Sequence, residues 1–230
     1  MKISLLLIVI AVLAMPVCAQ NVCAKDPSKC CGATSFANCP KDGCGADKEL
    51  SLKKNKTDKP ASGDVTHKTI TEIANFTTPA NWKANTSRTL LEKWGEGDAL
   101  EVTLYLKTVK HYNSGAEACN CNLKLDDNND FHLVLVAQKT DPESSSLTAE
   151  ITPRLRPDGW TLSKIQALAN KKAYVRLTGW AMLDTQHIGK PTPVRKTHWE
   201  IHPVTKFEVC TTTKSDCDSG NGWKKLEDIP

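Results

Sequence analysis

Apolar and polar residues alternate along five stretches in the second half of the chain, a pattern typical of strands that bury one face. The predicted strands cover residues 99–110, 131–138, 147–155, 173–183 and 197–209. Trp180 in the fourth strand and Trp199 in the fifth are predicted to be buried and to seal the core between the strands. The second strand should place Phe131 and Leu133 on one face and His132 on the other.

A helix is predicted between the third and fourth strands. Leu162, Ile165 and Leu168 recur at helical spacing, and Thr161 can cap a helix that runs from 162 to about 172. The order strand, strand, strand, helix, strand, strand predicts a mainly β protein built on a five-stranded OB-like barrel, over residues 98–210.

The segments on either side of this domain have less regular patterns. Residues 20–97 are predicted to form an irregular, Cys-rich arm, with a short lead-in helix that Ser87 caps. Lysines such as Lys54 are interspersed with acidic residues there, which favours a solvated linker. Residues 211–230 are predicted to be a polar C-terminal tail.

The first 19 residues resemble an export signal. A basic start, Met1-Lys2, precedes an apolar run over 3–15, and the small residue Ala19 suits cleavage by a signal peptidase. The apolar run is too short for a comfortable transmembrane helix. A lipoprotein anchored at Cys18 is the alternative, and Val17 before it fits that poorly. The mature chain is therefore predicted to be secreted or periplasmic, without an integral membrane segment.

Ten cysteines agree with export, and disulfides are favoured over a zinc ribbon because no Cys-x-x-Cys spacing occurs in the arm. Cleavage after Ala19 would leave five cysteines in the arm, an odd set with one thiol spare or paired elsewhere. The even set of the predicted domain should pair within itself: Cys119, Cys121, Cys210 and Cys217.

Net charge and aromatic content limit the partners. The formal net charge is only +4 and aromatic residues are 6% of the chain, so nucleic acid is weakly supported as a ligand. An extracellular polymer or a protein remains open as the partner.

The candidate site is a set of histidines and carboxylates on or beside the predicted strands. Its members are Asp130, His132, Glu150, Asp184, His187, His198, Glu200 and His202. His198, Glu200 and His202 share the face of the fifth strand opposite Trp199. Residues two apart in a strand are separated by roughly 6.7 Å and can share an ion, whereas His198 and His202 lie about 13 Å apart.

A divalent metal such as zinc is one cofactor that this set admits, with Asp130, His132, Glu200 and His202 as its ligands on one side of the barrel. The structural alternative is that the histidines donate hydrogen bonds, and that Glu200 pairs with a cation such as Arg176 or Arg195.

Three short motifs carry a family resemblance. They are Asp130-Phe131-His132, Gly179-Trp180 followed by Asp184 and His187, and Trp199-Glu200-Ile201-His202-Pro203. Together they resemble a group of secreted bacterial OB-fold-like proteins without an established function. The resemblance implies an OB-like fold and a bacterial, extracytoplasmic setting, and it transfers no catalytic residue.

Two classes of function follow. The first is a secreted OB-like binding module for an oligosaccharide, a nucleic acid or a protein. The alternative is a metal-assisted, nuclease-like hydrolase that uses the His/Asp/Glu set. Nucleophile-elbow, phosphate-loop and dinucleotide motifs are lacking in the sequence, so whether the protein is an enzyme stays open.

Overall fold

The computed structural model describes residues 32–112 and 117–230 of the chain. The predicted signal peptide and three cysteines, Cys23, Cys30 and Cys31, lie outside the described residues. The strands are β1 (Thr66–His67), β2 (Ala99–His111), β3 (Phe131–Val136), β4 (Leu147–Ile151), β5 (Tyr174–Leu183), β6 (Trp199–Cys210) and β7 (Trp223–Lys225). The α-helices are α1 (Lys48–Lys54), α2 (Ile70–Ala74), α3 (Thr89–Glu92), α4 (Leu162–Asn170) and α5 (Lys214–Asp218). Short 3-10 turns cover Phe36–Asn38, Ser62–Asp64, Ala118–Asn120, Asp126–Asn128, Glu143–Ser145 and Leu226–Asp228.

Five of the strands close into a barrel. β2 pairs with β3, β3 with β4, and β5 with both β6 and β2, all antiparallel, while β4 and β6 pair in parallel. Helix α4 lies between the third and fourth barrel strands, which completes the OB arrangement. The predicted mainly β, five-stranded OB-like barrel is therefore confirmed. β1 extends the sheet beside β2, and β7 pairs with β6.

The barrel core comes from alternation along the strands, which register shifts interrupt in the β2–β3 and β5–β6 pairs. Leu133 and Leu135 of β3 and Ala149 of β4 point inward and are fully buried. Trp199 begins β6 inside this core at 0% exposure, with its ring edge-on to Phe76 at 5.4 Å between centroids. The prediction that Trp199 seals the barrel is confirmed.

Trp180 has a different place, and the prediction that it seals the core is wrong. Ala181 beside it points inward, so alternation along β5 directs Trp180 to the outer face, where it is half-buried. There its indole N–H donates to the carbonyl of Asp58 at 2.9 Å, and Lys56 Nζ lies 3.2 Å from its ring centroid. Trp180 therefore attaches the N-terminal arm to the outside of the barrel.

The N-terminal arm is more regular than predicted. Asp47 caps α1 by accepting a hydrogen bond from the Leu50 N–H at 3.1 Å. Leu50 and Lys54 lie one turn apart, so both face the barrel. The predicted lead-in helix is present as α3, but its N-cap is Arg88, which makes no side-chain cap, and not Ser87.

The disulfides correct part of the cysteine prediction. Cys210 pairs with Cys217 as one of the predicted pairs within the set. Cys121 instead pairs with Cys39 of the arm, and Cys119 is a buried free thiol. Cys44 is also disulfide-bonded. The domain set therefore does not close on itself, because the arm folds against the loop that carries Cys121.

Helix length and hydropathy bear on membrane insertion. None of the helices in the described part of the chain has the length and apolar character that crossing a bilayer requires.

Candidate functional site

A cleft of about 760 Å³ lies on the outer face of β3 and β4. Helix α1 of the arm forms one side, through Leu50 and Lys54. The loop after β2 and the loop between β5 and β6 supply other walls, including Tyr112 and Arg195. These are the face and the two loops that OB folds use to bind ligands.

Strand register brings the polar side chains to this face. Because odd-numbered residues of β3, β4 and the start of β6 fill the core, His132, Glu150, Glu200 and His202 point outward. His132 lies directly opposite Glu150 across the β3–β4 pair, and the neighbouring Thr148 lies opposite Glu200 across the β4–β6 pair. Three adjacent strands therefore share one polar outer surface.

Glu150 is the centre of the resulting contacts. Its Oε1 lies 3.3 Å from His132 Nε2, and its Oε2 lies 2.8 Å from His202 Nδ1 and 3.4 Å from Lys54 Nζ. Asp130 Oδ2 is 3.5 Å from His202 Nε2, and Glu200 Oε1 is 3.4 Å from His202 Nδ1. The structure thus places Asp130, His132, Glu200 and His202 on the same side of the barrel, around Glu150.

Arg195 extends this group towards the β5–β6 loop. Its Nη1 lies 3.0 Å from Glu200 Oε2, and its Nη2 donates to Asp184 Oδ2. His187 Nδ1 lies 2.5 Å from the same Asp184 oxygen. Of the two arginines that the structural alternative named, Arg195 is the partner of Glu200, whereas Arg176 pairs with Glu208. Nine side chains are linked by these contacts, and we call them the polar network: Lys54, Asp130, His132, Glu150, Asp184, His187, Arg195, Glu200 and His202.

His198 is placed differently from the other candidates. Its backbone carbonyl accepts a hydrogen bond from the Asp184 N–H at 2.9 Å. Burial and the nearby charge of Arg195 lower the pKa of its imidazole, which favours the neutral ring. None of the ion pairs found among the described residues includes His198.

Two glutamates at the cleft have pKa values displaced in opposite directions. Burial, reinforced by the charge of Asp130, raises the pKa of Glu117 to about 7. Burial also disfavours ionised Glu150, but the charges of His132, Lys54 and His202 outweigh it and hold the pKa of Glu150 well below its usual range. Glu150 is therefore ionised at neutral pH, whereas Glu117 is present in both its protonated and its ionised form at that pH.

His202 is fully buried within this group. Burial by itself lowers the pKa of an imidazole, but the charge of Glu150 and the contacts with Glu150 and Glu200 raise the pKa of His202 to about 10. Unless a metal ion replaces the proton, His202 is therefore an imidazolium enclosed by carboxylates.

Lys54 shows what the sequence interpretation missed. Its side chain is only 13% exposed, so the prediction of a solvated linker is wrong at this position. Burial lowers the pKa of Lys54, but the charge of Glu150 raises it well above the ordinary value, so the ammonium persists. The available signal was its spacing of four residues from the apolar Leu50. Glu117 lies in a loop without periodicity and carried no comparable signal.

Cys119 lies beside Glu117 and Asp130. Burial and the charge of Asp130 raise the pKa of its thiol well above the ordinary value. Cys119 is therefore a neutral thiol at physiological pH and a poor nucleophile.

Within the described part of the chain, two groups of side chains have the spacing of metal ligands. In each group one atom per residue lies within 4.8 Å of the others: Asp130, Glu150 and His202 in one, and Glu117, Cys119 and Asp130 in the other. Asp130 and His202 were named as ligands from the sequence. Glu150 is a member that the expected ligand set did not include, whereas His132 and Glu200, which that set did include, belong to neither group.

Comparison with known proteins adds no match: no family model, no curated protein and no solved structure matches this chain. The functional proposals below therefore rest on the cleft and on the polar network beneath it.

Proposed function

We propose that this protein is an exported binding module of the OB type, and that the cleft over β3 and β4 holds a short oligosaccharide. The observation that carries the proposal is the position of the cleft, between the two loops and over the strand face that OB folds use for ligands. The signal-like start of the chain and the disulfides support a secreted or periplasmic setting.

The size of the cleft suits a short ligand. Its volume of about 760 Å³ falls within the range of pockets that enclose small molecules, roughly 300–1,000 Å³. A folded protein partner would need a broad contact surface, on the order of 800 Å² from each side. A concave site of this kind instead favours a few sugar units.

The charges of the cleft disfavour nucleic acid. Five acidic side chains line it against three permanently cationic ones, Lys54, Lys110 and Arg195. Each cation already has a carboxylate partner: Glu150 for Lys54, Glu143 for Lys110, and both Asp184 and Glu200 for Arg195. A phosphate backbone would meet net negative charge and would have to compete for these cations.

An oligosaccharide fits the same lining. Paired carboxylates and cations offer acceptors and donors to hydroxyl groups without requiring a charged ligand. Tyr112 stands at the rim with 44% exposure, edge-on to His132 at 5.0 Å between ring centroids. Its apolar ring surface is available to pack against a sugar ring.

The test is a binding measurement on the full mature chain. Isothermal titration with cello-, chito- and malto-oligosaccharides should show saturable binding to at least one series, and an oligothymidylate should not bind at physiological salt. Tyr112→Ala should weaken the oligosaccharide about tenfold, equivalent to about 1.4 kcal/mol. Tyr174→Ala is the matched control, because Tyr174 lies outside the cleft lining, and it should leave the affinity unchanged. Binding of the oligothymidylate alone would contradict the proposal.

A metal-assisted hydrolase is the second candidate, and Glu117 is the observation that favours it. A carboxyl group with a pKa of about 7 at a cleft wall can accept or deliver a proton at neutral pH. A divalent ion would supply Lewis-acid assistance. Release of reducing ends or of nucleotides in the presence of Zn²⁺, lost in Glu117→Gln with folding retained, would favour the enzyme over the binding module.

A further inference from the structure

We propose that Asp130, Glu150 and His202 form a binding site for one divalent transition-metal ion, and that Zn²⁺ is the ion that suits it. The site lies beneath the floor of the cleft, where β3, β4 and β6 meet. Only Glu150 of the three also lines the cleft.

The ligand atoms converge from three separate strand positions. Asp130 immediately precedes β3, Glu150 lies in β4 and His202 in β6. One ligand atom from each lies within 4.8 Å of the others, and all three residues are buried. Ligands bound to zinc at about 2.0–2.2 Å lie roughly 3.3–3.5 Å apart, so small side-chain shifts complete the coordination.

His202 supplies the independent sign of a missing partner. The structure gives neither of its ring nitrogens a hydrogen bond, although the imidazole is fully buried. Carboxylate oxygens surround both nitrogens: Glu150 Oε2 and Glu200 Oε1 lie 2.8 Å and 3.4 Å from Nδ1, and Asp130 Oδ2 lies 3.5 Å from Nε2, but none of these contacts is directed as a hydrogen bond. A buried polar atom normally has a directed partner, and a metal ion would be such a partner for the one ring nitrogen that carries the lone pair, while the other nitrogen donates to a carboxylate.

The charges of the polar network point the same way. It contains four buried carboxylates, Asp130, Glu150, Asp184 and Glu200, and two permanent cations, Lys54 and Arg195. The difference of four minus two leaves two negative charges without a permanent counterion. Carboxylates therefore outnumber permanent cations around the three proposed ligands, and a bound cation would reduce the cost of burying them.

Asn120 holds Asp130 in a suitable orientation. Its side-chain amide donates to Asp130 Oδ1 at 3.0 Å and to Glu117 Oε2 at 2.7 Å. The first bond occupies Oδ1 of Asp130 and leaves Oδ2 turned towards His202. Outer hydrogen bonds of this kind are a regular part of metal sites, because they orient the ligands.

The donor set selects the class of ion. One imidazole with two carboxylates suits zinc and related transition metals, while Mg²⁺ prefers oxygen ligands and retains its water. Zinc binding and oligosaccharide binding are measured independently. A negative result for one ligand therefore does not contradict the proposal for the other.

The experiment measures zinc directly. The full mature chain, produced without a histidine tag, is stripped with EDTA, titrated with Zn²⁺ alone, and passed through a desalting column before metal analysis. We expect one zinc per chain in the wild type and no retained Mg²⁺. His202→Gln and Glu150→Gln should each lower zinc affinity by at least about tenfold to a hundredfold.

Three matched variants assign the ligands. His111→Gln removes a histidine paired with Asp126 elsewhere on the protein and should retain the zinc. Cys119→Ser should also retain it, because Cys119 belongs only to the second possible group, Glu117–Cys119–Asp130. If His202→Gln does not fold, Glu150→Gln decides the question by the same measurement, with circular dichroism as the check on folding.

Several results would overturn the proposal. One is that the wild-type chain retains no zinc. A second is that Cys119→Ser loses the zinc while Glu150→Gln retains it. A third is that the zinc affinity changes only in His111→Gln. The first of these would mean that protons on the histidines, and not a metal, balance the carboxylates.

Discussion

Replacing Trp199 with alanine tests the barrel core at its largest fully buried side chain. The indole ring packs edge-on to Phe76, and its N–H donates to the carbonyl of Thr77 at 3.2 Å and to Thr78 Oγ1 at 3.1 Å. Alanine would remove these contacts and leave a cavity between the arm and the barrel.

The expected loss is about 3–5 kcal/mol of unfolding free energy, the usual range for a buried tryptophan truncated to alanine. Within that total, about 1 kcal/mol belongs to the hydrogen bond and roughly 0.5–1.5 kcal/mol to the Phe76 ring pair. Trp180→Ala provides the matched control, because Trp180 is half-buried outside the barrel. It should cost only about 1–2 kcal/mol, through the Asp58 hydrogen bond and the Lys56 contact.

Urea unfolding followed by far-UV circular dichroism measures both variants without relying on tryptophan fluorescence. With a denaturant slope of about 2 kcal/mol/M, Trp199→Ala should lower the midpoint by roughly 2 M and Trp180→Ala by less than about 1 M. Equal midpoints for the two variants, or a wild-type midpoint for Trp199→Ala, would refute the placement of Trp199 in the core.

Three further predictions concern buried features. Arg88→Met should cost about 3–5 kcal/mol in urea unfolding, because it leaves the buried Glu96 carboxylate without its cation, and a near-neutral effect would contradict that. Gly179→Ala should lower the urea midpoint by the equivalent of about 1–3 kcal/mol, because its Cβ would lie 2.4 Å from the Pro203 carbonyl oxygen; an unchanged midpoint would show that the strands can separate. In the EDTA-treated protein, the pKa of His202 is raised to about 10, so its protonated ring favours the folded state. This contribution to the free energy of unfolding should be fully present below about pH 6.5, the ordinary pKa of histidine. That contribution should be lost as the pH rises through 10, so the wild-type advantage over His202→Gln should disappear there.

The sequence alone determined the positions and the order of the barrel's strands and helix. Alternation at every second residue is a local property of each strand, so strands β2 to β6 and helix α4 could be located within a few residues. The same alternation placed His132 on the strand face opposite Phe131. It also placed Glu200 and His202 on the strand face opposite Trp199. Alternation also directs Trp180 outward, because its neighbour Ala181 faces the core, so the expectation that Trp180 seals the core conflicts with the pattern of its own strand.

Only the tertiary structure decided how the site is assembled. Glu150 and His202 meet because barrel closure puts β4 beside β6 in parallel, a pairing between distant segments that no local period encodes. Lys54, Glu117 and Cys119 join them from the arm and from a loop, where contacts follow from the packing of the arm and from the Cys39–Cys121 disulfide. Local periodicity specifies which face of a strand a residue occupies, whereas the partners and charges it meets there depend on which remote segments fold against that face.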